Sequence, residues 1–159
     1  MEIGSTLPNT PVQQLVGGEV LQINLAEFSA GKTVLLVSLP GAFTPTCSDD
    51  HVPGYLSNIG AFREKGVDEV VILATSDFFV VKAWADQLKV GEHLHFMADG
   101  SQKFAAAAGQ LLDLTDLGLG MRSQRYAALV RDGQVEKLAI EPDATAVSVS
   151  SAAEMLQCI

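Results

Sequence analysis

The fold is decided by Thr33-Val-Leu-Leu-Val-Ser-Leu39 and by the segment that follows it, Pro40-Gly-Ala-Phe-Thr-Pro-Thr-Cys-Ser48. The first part is a near-continuous apolar run, which is typical of a strand buried on both faces of a sheet. Residues 48–65 have helical character, and we expect a kink or a restart near Pro53-Gly54. Cys47 is therefore expected at a strand-to-helix junction. There, outward-pointing helix amides favour a thiolate over a thiol.

The rest of the chain alternates between strand and helix patterns. We predict further strands near 19–25, 69–76 and 94–98 and helices over 78–88, 102–111 and 152–157. Asp132-Gly133 lies between two β-prone runs, 125–131 and 134–140, and predicts a hairpin. Parallel strands joined by helices and followed by a hairpin predict an α/β fold: a mixed central sheet with helices on both faces.

Composition and charge exclude several classes of function. The 159 residues are 48% hydrophobic and 18% charged, which indicates a globular chain long enough for one domain over 1–159. A net charge of −9 argues against a nucleic-acid partner and against adhesion to an anionic membrane. No apolar run reaches the roughly 18 residues of a membrane span, and residues 1–5 lack a signal-peptide pattern. Two cysteines form no disulfide framework, so we expect free thiols and a cytoplasmic location.

The spacing of Pro40, Thr44 and Cys47 resembles the active-site signature of the peroxiredoxins, and the longer string PGAFTPTCSDDHVPGY is similar to their type II, or peroxiredoxin-5, branch. The resemblance extends from residues 4–11 to residues 141–143. It implies a thioredoxin-like fold for a single redoxin domain. It also implies a thiol-dependent peroxidase that reduces hydrogen peroxide and alkyl hydroperoxides through a sulfenic acid on Cys47.

Peroxide reduction explains why these residue types occur together. Cys47 would supply the nucleophilic thiolate, and the Thr44 hydroxyl can donate to a peroxide oxygen or to sulfur. Pro40 lacks an amide hydrogen, shapes the loop and can shield the sulfur from water. A cation is also needed, and Arg122 and Arg125 lie close together in the chain. By resemblance, the peroxiredoxin arginine matches Arg125, and Arg122 is the alternative at the mouth of the site.

His51 lies four residues after Cys47, on the same face of a regular helix, and matches a histidine of type II relatives. It could tune the site or be a hydrogen-bonded structural residue. His93 and His95 bring no further ligands with them, so we expect no metal site. We expect residues 113–120, which lack a phosphate-loop pattern, to be a flexible segment that places Arg122 and Arg125.

The resemblance also bears on partners. In type II relatives the loop holding Phe43 and the segment near Phe78 and Phe79 lie toward a dimer interface, which implies a homodimer. Many of these relatives carry a second, resolving cysteine, but Val149 and Val52 occupy its two common places here. We therefore expect a one-cysteine enzyme with no bound cofactor. Its sulfenic acid would be reduced by glutathione with glutaredoxin or, as a second choice, by thioredoxin.

Other interpretations stay open at this point. Cys158 could resolve Cys47 within one chain or across a dimer, which would make the protein a two-cysteine enzyme, or it could be a small apolar residue of the last helix. A thioredoxin-like thiol–disulfide oxidoreductase or a glutathione-dependent transferase would be expected to have a CxxC pair, which is absent. A redox sensor that passes oxidation to a partner would have the same site. A holdase or scaffold would not need the set of Pro40, Thr44, Cys47 and Arg125.

Overall fold

The computed structural model describes residues 1–159, and its sheet of seven strands is mixed. Strands β3, β4 and β5 are parallel to one another, and the other pairs are antiparallel. The order across the sheet is β2-β1-β5-β4-β3-β8-β9, and β6 and β7 form a separate hairpin. The strands are β1 Val12–Val16, β2 Glu19–Ile23, β3 Thr33–Leu39, β4 Glu69–Ala74, β5 Leu94–Ala98, β6 Leu111–Leu114, β7 Gly120–Ser123, β8 Tyr126–Arg131 and β9 Gln134–Ile140.

Helices cover both faces of this sheet, as predicted. They are α1 Leu25–Phe28, α2 Val52–Ser57, α3 Ile59–Glu64, α4 Phe78–Leu88, α5 Lys103–Ala107 and α6 Ala152–Cys158. Side chains alternate along β3, so Val37 belongs to one apolar core and Leu36 to the other. The first core also contains Trp84 of α4 and Met155 of α6, and the second contains Phe104 of α5. No helix is both long and apolar enough to cross a bilayer.

The hairpin predicted at Asp132-Gly133 is present. Both residues have a positive φ, 48° and 77°, which suits a tight two-residue turn between twisted strands. In the same sheet, Ser38 of β3 pairs with Tyr126 of β8. This register places Arg125 beside the carboxyl end of β3, where the chain leaves the sheet toward Cys47.

Several sequence predictions were wrong in their bounds or type, and the strand predicted near 69–76 ends earlier, at Ala74. The first 31 residues contain a hairpin of β1 and β2, which turns at Gly17-Gly18, and the strand ends at Ile23 because Asn24 caps α1. The helix expected over 102–111 ends at Ala107, since Gly109 has a φ of 67° and the chain continues into β6. Residues 113–120, which were expected to be a flexible segment, have regular structure as part of the β6–β7 hairpin.

The helix expected over 48–65 is divided into three parts. Its first turn, Cys47–His51, is widened, because the amide of Val52 donates to the Cys47 carbonyl five residues earlier. Pro53 follows directly and has no amide hydrogen for a regular helical bond, which explains the irregularity expected there. A second break, at Asn58, separates α2 from α3 and was not predicted.

Candidate active site

The loop that leaves β3 is anchored at its first residue. The carbonyl of Pro40 accepts hydrogen bonds from Thr75 Oγ1 at 2.7 Å and from Arg122 Nη1 at 3.1 Å. Two residues on, the amide of Ala42 donates to Ser76 Oγ at 3.1 Å. The end of β4 and the strand β7 therefore hold this loop in place above the sheet edge.

Cys47 is fully buried in the first core and begins the widened turn. Arg125 Nη2 donates to its Sγ at 3.2 Å. A guanidinium at this distance stabilises a thiolate and remains charged at every relevant pH. The structure thus brings together the cysteine and the arginine that the sequence analysis paired.

Each nitrogen of the buried Arg125 guanidinium has a partner of its own. Nε donates to the Ala144 carbonyl at 2.9 Å, Nη1 to His51 Nδ1 at 3.1 Å and Nη2 to sulfur. No carboxylate lies within 4.0 Å of the guanidinium. Its positive charge is therefore available to Cys47.

His51 is the second neighbour of Arg125. Its Nε2 lies 2.9 Å from the Ser150 carbonyl, which also accepts from the Tyr55 hydroxyl. Burial is the main cause that brings the pKa of His51 down to about 4. The hydrogen bond to Ser150 opposes this shift, and the nearby positive charge of Arg125 adds to it. His51 is therefore a neutral imidazole at physiological pH.

Glu141 closes this polar cluster from the side of β9. Burial opposes ionisation of its carboxyl, but hydrogen bonds from Ser148 and Ser150 outweigh burial and hold its pKa at about 2. The sequence analysis missed Glu141, Ser148 and Ser150 as members of the site. The only signal in the sequence was the pair of hydroxyl residues placed seven and nine positions after an acidic residue.

Unlike Arg125, the side chains of Thr44 and Arg122 make no hydrogen bond to the Cys47 sulfur. The Thr44 hydroxyl donates to the Gly41 carbonyl at 3.2 Å and has no hydrogen bond to sulfur. Arg122 binds the carbonyls of Leu119, Pro40 and Thr75 and does not contact Cys47. A Cβ at Gly41 would lie 2.8 Å from Arg122 Nη1, so a side chain at this position would displace that guanidinium group. Arg122 therefore serves the loop rather than the sulfur.

The mouth of the site is a cavity of about 260 Å³. Pro40, Thr44 and Arg125 are among the residues that line it. The β6–β7 hairpin contributes an apolar wall of Leu114, Leu117 and Leu119. Such a cavity admits a small polar group beside Arg125 and an apolar group against the leucines.

Both cysteines are free thiols in very different environments. Cys47 is buried, whereas Cys158 is exposed near the end of α6. At the two places where the resemblance implied a resolving cysteine, Val52 is fully buried and Val149 is half-exposed. A disulfide between Cys47 and Cys158 would require at least one of the two thiols to change its environment.

Aromatic side chains surround the start of the widened turn. Trp84 is buried, and its indole Nε1 donates to Ser48 Oγ at 3.0 Å, next to the cysteine. Phe43 lies over Trp84 with ring centres 6.3 Å apart, and its φ of 60° is rare for a residue with a side chain. Phe43 and Phe79 expose 45% and 67% of their surfaces, whereas Trp84 belongs to the core.

The other two histidines lie away from this site. His95 Nε2 is 3.0 Å from Glu69 Oε2, and His93 Nδ1 is 4.0 Å from the same oxygen. No group of three or more histidine, cysteine or acidic side chains is arranged to hold a metal ion.

Comparison with known proteins adds independent evidence. A family model described as Redoxin matches residues 2–156. The chain is 39% identical over 158 residues to Peroxiredoxin-2C of Oryza sativa subsp. japonica, with 99% of this chain and 97% of that protein covered.

Solved structures agree with the sequence comparison. Reduced Prx3 of Vibrio vulnificus in complex with hydrogen peroxide superposes with a TM-score of 0.93 at 38% identity, covering 99% of this chain and 98% of that one. The Plasmodium falciparum antioxidant protein, described as a 1-Cys peroxiredoxin, superposes with a TM-score of 0.92 at 27% identity over 99% of this chain and 98% of that one. The thioredoxin-like fold that the sequence resemblance implied is confirmed by these neighbours.

Proposed function

The chain belongs to the peroxiredoxins, the thiol peroxidases of the redoxin family, and from that premise we propose that Cys47 reduces hydrogen peroxide and alkyl hydroperoxides and is recycled by an external thiol. The observation that carries the proposal is the 3.2 Å contact between Arg125 Nη2 and Cys47 Sγ, made by a guanidinium that no carboxylate neutralises. Such a contact favours the nucleophilic form of a buried sulfur.

In the oxidative step the Cys47 thiolate attacks the terminal oxygen of ROOH, the O–O bond breaks, and the sulfur becomes a sulfenic acid. The RO⁻ leaving group takes a proton and departs as ROH. Arg125 faces the oxygens as charge develops on them, in the manner of a preorganised oxyanion site. The Thr44 hydroxyl, whose bond to Gly41 is long at 3.2 Å, can donate to the leaving oxygen instead.

The mouth of the site supports both kinds of peroxide. Hydrogen peroxide needs only the polar side of the cavity, and the similar Prx3 of Vibrio vulnificus forms a complex with hydrogen peroxide in its reduced state. An alkyl hydroperoxide could place its organic group against Leu114, Leu117 and Leu119.

Recycling by an external thiol is the proposed second half of the cycle. A first thiol, R′SH, displaces water from the sulfenic acid to give a mixed disulfide, and a second thiol releases Cys47 and leaves as R′SSR′. The exposure of Cys158, in contrast to the buried Cys47, supports this one-cysteine cycle over an internal disulfide. The Plasmodium falciparum neighbour described as a 1-Cys peroxiredoxin gives further support. We propose glutathione with glutaredoxin as the donor, and thioredoxin as the alternative.

The test is the intact mass of the reduced protein after one equivalent of hydrogen peroxide, with and without glutathione. We expect a gain of one oxygen at Cys47 alone and a glutathione adduct when glutathione is present. Cys158→Ser should behave in the same way, and Cys47→Ser should not react. A loss of two hydrogens, or a covalent dimer that Cys158→Ser abolishes, would replace the one-cysteine cycle by a two-cysteine one. No fast mass change in the wild-type protein would refute the peroxidase proposal.

Two further properties are proposed with the enzyme. Phe43, Phe79 and Val80 are exposed apolar residues beside the active-site loop, which supports a homodimer through this surface. Sedimentation velocity tests it, and a monomer at all concentrations would contradict it. The two free thiols support a cytoplasmic location, since a reducing compartment would preserve them, and cell fractionation tests this.

A further inference from the structure

Glu141 is a buried carboxylate with no cation in contact. It is 2% exposed, lies directly after β9 and takes part in no salt bridge. Its oxygens accept four hydrogen bonds, from the amides of Ser148 and Ser150 at 2.7 and 2.8 Å and from both hydroxyls. A buried charge is costly unless it is satisfied in this way, so the loop 141–150 is built around this anion.

A chain of hydrogen bonds leads from Arg125 to Glu141, and its direction can be assigned. A guanidinium only donates, so Arg125 Nη1 gives its hydrogen to His51 Nδ1. The single proton of the neutral imidazole must then lie on Nε2, which donates to the carbonyl and the hydroxyl oxygen of Ser150. The Ser150 hydroxyl donates in turn to Glu141 Oε1 at 2.7 Å. Every donor in the chain therefore points from the cation toward the carboxylate.

The separation of the two charged ends matters for the chemistry. A carboxylate bound directly to Arg125 would compete with the thiolate for the same guanidinium. Here the anion lies behind two neutral residues, so it polarises the chain while Arg125 Nη2 stays on Cys47 Sγ. The backbone supports the arrangement, because the amide of Glu141 donates to the Arg125 carbonyl at 2.9 Å.

We propose that Glu141 is a positioning residue for the peroxidatic cysteine. Glu141 orients Ser150, Ser150 sets the tautomer of His51, and His51 sets the rotation of the guanidinium that faces sulfur. Glu141 does not touch the reacting atoms itself. Its role rests on the peroxidase function proposed above, since it acts through the contact between Arg125 and Cys47.

The variant that tests this role is Glu141→Gln, which keeps the shape of the side chain and removes its charge. Two measurements are made on the reduced protein: the nitrogen resonances of the His51 ring by NMR, and the second-order rate of Cys47 oxidation by hydrogen peroxide in a rapid-quench experiment. We expect shifted His51 resonances and about tenfold slower oxidation, because the polarised chain loses its anion. Asp143→Asn is the matched control: it removes an exposed charge from the same loop and should change neither measurement.

Wild-type His51 resonances in Glu141→Gln, at any oxidation rate, would overturn the positioning role, and so would an unchanged oxidation rate. If this variant does not fold, Ser150→Ala replaces it, since it keeps both backbone contacts and removes only the hydroxyl. It should shift the His51 Nε2 resonance and slow oxidation about threefold; wild-type values would overturn the role. The NMR measurement uses no peroxide, so a wild-type protein inert to peroxide would refute the proposed function separately.

Discussion

At the scale of single residues, the environment of Arg125 calls for the geometry of a guanidinium group. Its guanidinium binds a carbonyl, an imidazole and a sulfur through three different nitrogens. A lysine has one nitrogen and cannot make the three contacts in these directions. The planar shape of the arginine is therefore needed as well as its charge.

Arg125→Lys should slow oxidation of Cys47 by about a hundredfold, in the range found when one preorganised donor is removed from an active site. Arg131→Lys changes an exposed arginine at the far end of β8, the strand that follows Arg125, and should leave the rate unchanged. Rapid-quench oxidation by hydrogen peroxide, followed by mass spectrometry, measures both variants. A wild-type rate in Arg125→Lys would mean that charge alone suffices.

The sequence predicted the part of this site that lies within a short stretch of chain. Pro40, Thr44 and Cys47 follow from one motif, and Arg125 follows from resemblance to a family. Glu141 and Ser150 could not be found in this way, because Ser150 contacts a histidine that is 99 residues away. Such contacts depend on how two distant loops fold against each other, and no local pattern encodes that.

At the scale of helices and strands, the elements with a strong apolar pattern were the ones that the sequence predicted. The bounds of β3, α4, β5 and β9 were predicted correctly, since each has a clear apolar run or periodicity and a turn or cap beside it. The β6–β7 hairpin was missed because its strands have four residues each and are half-exposed, so their alternation is weak. That hairpin nevertheless supplies the apolar wall of the active-site mouth.

Leu117 is the most exposed of the wall residues, at 62%. Leu117→Ser should lower the rate with cumene hydroperoxide about threefold to tenfold, since the organic group loses an apolar contact, and should leave the rate with hydrogen peroxide unchanged. Leu111→Ser is the matched control, because Leu111 lies on the same hairpin outside the wall. Competition between the two peroxides in one reaction measures the ratio directly. An equal loss for both would show that the wall does not bind the organic group.

At the scale of the whole molecule, two buried groups link folding to pH. The pKa of His51 is about 4 in the folded protein against an ordinary 6.5, and that of Glu141 is about 2 against 4.5. In both cases the unfolded chain binds a proton more readily than the folded one. The contribution of His51 to stability is thus complete above pH 6.5 and is lost as the pH falls toward 4. That of Glu141 is lost between pH 4.5 and 2.

We expect the free energy of unfolding to decrease between pH 6.5 and 4, with His51 contributing on the order of 3 kcal/mol. Urea denaturation followed by circular dichroism at several pH values measures this. His51→Gln should flatten the pH dependence in this range, whereas His93→Gln, at a half-exposed position, should not. A pH dependence identical in His51→Gln and wild type would assign the effect to other groups.

The hydrogen bond between Trp84 and Ser48 makes the intrinsic fluorescence of this protein a probe of its active site. The chain has one tryptophan, so its fluorescence comes from a single indole with no background from others. That indole donates to the hydroxyl of the residue next to Cys47. An oxygen atom or a glutathione added to the buried sulfur of Cys47 should shift the neighbouring Ser48 hydroxyl and so change the fluorescence emission of Trp84. Both halves of the catalytic cycle should therefore be visible in real time, in unlabelled protein.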